Sequence, residues 1–131
     1  MGQELFQPPS VKGWVGGRSW INTATVFTRQ NTTVFLITGR TNRGPTAGSS
    51  DAYDAMHLVE HLRDASGVLD GRECVRSVAA FALGADPGPA RVAELEKYLE
   101  SIGGSPNPTM TNERLQALLC LITAMPEYQL C

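Results

Sequence analysis

A chain of 131 residues, 42% of them apolar, has room for one core and hides roughly two-thirds of its unfolded surface on folding, which excludes wholesale disorder. No run approaches the ~18 consecutive apolar residues of a membrane span, and the start, MGQELFQPP, has neither the basic nor the apolar region of a signal peptide. The net charge of −2 is unevenly spread: residues 1–50 set Lys12, Arg18, Arg29, Arg40 and Arg43 against Glu4, whereas residues 51–131 hold six basic and twelve acidic groups.

The basic residues are scattered along the first half and do not gather on one helical face. We therefore expect attraction between the two halves and no nucleic-acid surface. Taken as a complete gene product, the chain would be cytoplasmic. Cys74, Cys120 and Cys131 are odd in number and contain no C-x-x-C pair, which argues against a disulfide framework, a zinc ribbon and haem attachment. Cys120 lies within LQALLCLITAM and reads as a small buried hydrophobe.

Along the chain, Met1 to Phe6 reads as the last turn or two of a helix stopped by Pro8 and Pro9. SVKGWVGGRSWIN follows, with glycines that forbid regular structure and two indoles that must be buried to offset its backbone entropy. Residues 1–22 are thus an irregular loop. Asn22 or Thr23 caps a helix over 23–39 with Gly39 as its left-handed terminus, although the β-branched TTVFLIT suits a strand equally well. Residues 40–50, RTNRGPTAGSS, form a surface loop.

Four further helices are predicted over 51–131. The first starts at Ser50 or Asp51 and runs through DAYDAMHLVEHLRDAS, where Ala52, Ala55, Met56, Val59 and Leu62 share a face at helical spacing. The second spans about Arg72–Leu83 and ends at Gly84. The third, Pro89–Ile102, opens with proline in its first turn and lines up Val92, Leu95, Tyr98, Leu99 and Ile102. In the fourth, Thr111 heads a TNER capping pattern and Pro126 halts or kinks the helix after Met125. With no repeat and no alternation of strand and helix, the fold class is all-α: about five helices in a small bundle, part of a larger helical domain.

Two constellations could carry chemistry. His57-Leu58-Val59-Glu60-His61 matches the H-x-x-E-H pattern of inverted zincins. On a helix, residues four apart project together, so His57 and His61 could share zinc while Glu60 acts as base. The spacing also puts Asp54, His57, His61 and Asp64 in one arc opposite the apolar face, which is how a solvated helix face looks. A third zinc ligand has no visible source. We read the stripe as solvent-facing, with a zinc-dependent hydrolase as the alternative and no cofactor expected. In GWVGGRSW, Trp14 and Trp20 could clamp a sugar or a guanidinium, with Gly16 and Gly17 giving close backbone approach and Arg18 beside them. The structural reading, in which the tryptophans cork a helical core, is preferred.

The phrase MGQELFQPPSVKGWVGGRSWINTATVFTRQN and the ending RLQALLCLITAMPEYQLC closely resemble the C-terminal region of a bacterial family, domain of unknown function 1800. Members carry a phrase like GQ-x-LF-x-PP-x-V-x-GW-x-GG-x-x-WIN and finish in an apolar helix with a PE(Y/F)QL tail. The resemblance implies exported, largely helical proteins several times longer than this chain, often encoded beside a partner family resembling sulfatases and alkaline phosphatases. The chain then looks like a C-terminal fragment, a split gene or a truncated homologue, its partners being the rest of a parent protein or a sulfatase- or phosphatase-like protein, and a truncated core should leave an apolar patch that favours self-association. Matched residue by residue, the family pattern falls on Phe6, Pro8, Pro9, Gly13, Trp14, Gly17, Trp20, Ile21, Asn22 and Arg29, each with a structural use and none with a reaction to carry over. Val15 stands where proline is usual, and the His57/His61 pair lies outside the pattern. The resemblance tips residues 23–38 toward helix. A noncatalytic scaffold or docking module is the functional expectation.

Overall fold

A computed structural model describes residues 6–13, 21–41, 44–45, 53–63, 65, 69–103 and 109–129. It is helical, as expected: α1 covers Thr23–Thr38, α2 Gly71–Leu83, α3 Pro89–Gly103, α4 Asn112–Ala124 and the short α5 Pro126–Gln129.

Local chemistry sets the helix ends. Asn22 caps α1 in a full capping box: its side chain accepts from the Thr25 amide at 3.0 Å, and Thr25 Oγ1 accepts from the Asn22 amide at 3.0 Å. Gly39 closes the helix at φ 66°, where a Cβ would be strained, and its N–H donates to the Phe35 carbonyl at 2.8 Å. Asp70 caps α2, and Gly84 ends it in the same left-handed conformation. Thr111 caps α4 by accepting from the Arg114 amide at 3.4 Å. Met125, preceding Pro126, is extended as pre-proline sterics require, and this separates α4 from α5.

Two expectations need correction. Residues 40–50 are more than a bare loop: Arg40–Thr41 (β1) pairs antiparallel with Gly44–Pro45 (β2) in a two-residue ladder. The larger correction concerns DAYDAMHLVEHLRDAS, which is no α-helix where it is described. It forms two short 3-10 turns, Ala55–Leu58 and Glu60–Leu62, with Val59 between them at ψ 0°. The cap is Asp54, accepting from the Met56 amide at 3.0 Å.

Tertiary contact explains this departure. Asn112 Oδ1 accepts from the Ala55 amide at 2.8 Å, and Gln116 Nε2 donates to the Tyr53 carbonyl at 2.8 Å. Both partners sit on α4, so the segment's backbone is bound laterally instead of along a helix axis. Met56, Val59 and Leu62 are spaced by three, the period of a 3-10 helix, and Val59 is fully buried.

The core forms around α4, which packs against α1, α2, α3, α5 and the first 3-10 turn. Leu115, Leu118 and Ile122 of α4 are completely buried, facing Cys74, Val75 and Val78 of α2 and Leu95 and Leu99 of α3. Full burial of such a side chain contributes about 1.5–3 kcal/mol. The third predicted face is partly right: Leu95 and Leu99 are buried, whereas Ile102 is exposed. Helix α1 differs from the rest. Of its sixteen residues only Ile37 is buried.

Candidate functional site

Helix α1 reaches α4 and the short α5 through two side chains. Arg29 Nη1 donates to the Gln129 carbonyl at 3.3 Å across a separation of 100 residues, and Gln30 Nε2 donates to the Cys120 carbonyl at 3.2 Å. Gln129 is itself buried and donates through Nε2 to the Thr123 carbonyl at 2.6 Å. The Met125 to Pro126 break frees the last carbonyls of α4, and these glutamines take part in satisfying such groups. Among the described residues, the buried Oε1 atoms of Gln30 and Gln129 accept no hydrogen bond, a cost of about 1–3 kcal/mol each. Gln129 is the glutamine of the PE(Y/F)QL tail, whereas Gln30 was not singled out from sequence, its signal being a polar residue within the apolar pattern of α1.

The residues singled out from sequence fall into three groups. Asn22 and Arg29 have the structural uses just described. Pro8 and Pro9 are exposed, as is Phe6 at φ 66°; Gly13, at φ 86°, closes a turn by donating to the Ser10 carbonyl at 2.9 Å. Trp14, Gly17, Arg18 and Trp20 lie outside the described residues, as do Cys131, Asp64 and residues 1–5.

The third group is His57, Glu60 and His61. His57 Nδ1 stands 3.4 Å from Glu60 Oε2 and its Nε2 3.7 Å from Asp54 Oδ2, all three side chains being well exposed. To share one zinc ion, both histidines would have to project from one continuous α-helix. The break at Val59 removes that premise by placing them on different 3-10 turns. Among the described residues no three His, Cys, Asp or Glu side chains converge as a ligand set.

A further concavity lies between α2 and α3, about 530 Å³ in volume. Arg72 grips Glu96 bidentately, at 2.6 and 3.1 Å, and Arg76 reaches Asp86 at 3.2 Å. The Gly88 amide and then Arg76 hold the Asp86 carboxyl below its ordinary range. Close by, Arg91 bridges Glu94 at 2.7 Å and also pairs with Glu127, tying α3 to α5. The Glu127 carboxyl is lowered by its own backbone N–H at the start of α5 and by Arg91. These carboxylates are committed to arginines of the same chain. The buried Cys74 thiol is pushed up to about 11, first by burial and then by Asp70, and Cys120 is raised by burial. Neither resembles an activated nucleophile, whose thiol would be lowered.

The two halves of the motif read from sequence are therefore joined physically, Arg29 from the first and Gln129 from the second. The family model for protein of unknown function (DUF1800) matches residues 1–130. This chain belongs to that family. No curated protein and no solved structure matches it. Among the described residues no helix is long and apolar enough to cross a membrane.

Proposed function

We propose that this chain is a noncatalytic helical module that docks a partner surface, with α1 as the docking element. The observation that supports this reading is the outward face of α1. Phe27 and Leu36 are each 64% exposed and Phe35 39% exposed, on a helix with Arg29 as its sole charged residue. Charge depletion together with exposed aromatics is the composition of an interface core. Isolated surface phenylalanines are ordinary, but Phe27 and Phe35 lie about 80° apart around α1, on one exposed face with Leu36 at its far edge. The opposite side of α1 is tied to the C-terminal segment by Arg29 and Gln30.

Binding of the apolar dye anilinonaphthalene sulfonate to the dilute chain tests the reading, compared with a Phe27→Ser/Leu36→Ser variant. Dye binding by the parent, lost in the variant at unchanged melting temperature, is the expected result. Equal dye binding by both proteins would dismiss α1 as the docking element.

A further inference from the structure

Asn31 sits at the middle of the exposed face of α1, flanked four residues away on either side by Phe27 and Phe35. These three positions read the same in both directions. An antiparallel copy of α1, related by a two-fold axis through residue 31, would bring Asn31 against Asn31 of the second copy and each Phe27 against a Phe35. Residues four apart on a helix are about 6 Å apart along the axis, so the polar pair would have an aromatic pair on both sides. A two-fold interface requires this kind of self-complementary patch.

The polar atoms on the face fit the same arrangement. Thr28 Oγ1 donates to the Ala24 carbonyl at 2.9 Å and Thr32 Oγ1 to the Thr28 carbonyl at 2.8 Å. Their hydroxyl protons are therefore already satisfied within the helix and lose nothing when water leaves. No side-chain hydrogen bond of Asn31 is found among the described residues. A primary amide carries both donors and acceptors, so two of them meeting on a two-fold can exchange N–H···O bonds. One polar residue in an apolar seam is also a known device for fixing register. No like charges face each other, because Arg29 is turned toward Gln129.

We infer that the occupant of the α1 face is a second copy of this chain, packed antiparallel along α1 with Asn31 on the two-fold axis. The inference rests on the docking reading above and names its partner. Size sets the strength. The face measures roughly 24 Å by 10 Å, well under the ~800 Å² per partner of a standard interface, so the pairing is weak, in the micromolar to millimolar range.

Sedimentation equilibrium of the 131-residue chain, from about 10 µM to 1 mM to bracket that range, measures it. The parent chain should move from monomer to dimer. Asn31→Asp and Asn31→Lys each put like charges together at the axis and should weaken self-association on the order of 100-fold. An equimolar mixture of the two should recover a dimer, with circular dichroism and melting temperature confirming that both variants fold. A parent chain that stays monomeric at about 1 mM would overturn the inference, as would single variants that dimerise undiminished. If the dilute parent chain still binds the dye through Phe27 and Leu36 while remaining monomeric, docking on α1 stands and the partner is something other than a second copy.

Discussion

Truncating Leu118 and Phe27 separately to alanine should cost very different amounts of stability. Leu118 is fully buried on α4. Its truncation removes three carbons at about 0.8 kcal/mol each, and the unfilled cavity raises the loss to about 3–4 kcal/mol. Phe27 is 64% exposed, so about a third of the ~3–5 kcal/mol of a buried Phe→Ala change is at stake. The better helix propensity of alanine returns about 0.5 kcal/mol, leaving a net cost of about 0.5–1 kcal/mol. With a urea slope near 2 kcal/mol/M, the Leu118→Ala midpoint should fall by roughly 1.5–2 M and the Phe27→Ala midpoint by at most about 0.5 M. Urea denaturation of the dilute chain followed by circular dichroism reads both. Equal losses would mean that Phe27 is covered within the monomer, and the docking reading would fall with that result.

Three other outcomes follow from the same geometry. Asn22→Ala removes one half of the α1 capping box and should cost about 1 kcal/mol; an unchanged midpoint would mean that α1 is held entirely by its packing on α4. Because the Glu127 and Asp86 carboxyls are lowered by folding, their contribution is present above their ordinary 4.5 and 3.8 and disappears as pH falls through the lowered values. The melting temperature of the parent chain should therefore drop more steeply below about pH 5 than that of a Glu127→Gln/Asp86→Asn variant, and parallel curves would show that these pairs leave stability untouched. Calorimetric titration with zinc should give equally weak binding to the parent chain and to His57→Ala/His61→Ala; near-stoichiometric zinc lost in the variant would restore the metal reading and make Glu60→Gln the next test.

What the sequence determined by itself was whatever depends on a few neighbouring residues. Asn22 and Gly39 bracket α1, Thr111 starts α4 and Gly84 stops α2, because a cap is a hydrogen bond or a φ value decided within about four positions. The apolar periodicities of α2, α3 and α4 were legible for the same reason. The segment around His57 was not. Its periodicity suits an α-helix and a 3-10 turn alike, and the choice was made by Asn112 and Gln116 on α4, which bind the Ala55 amide and the Tyr53 carbonyl from 57 and 63 residues away. The Arg29 contact with Gln129 is of the same kind. So is the exposure of Phe27 and Leu36, since residue type fixes how much burial is worth, whereas only the packing of other elements decides which face of a helix receives it.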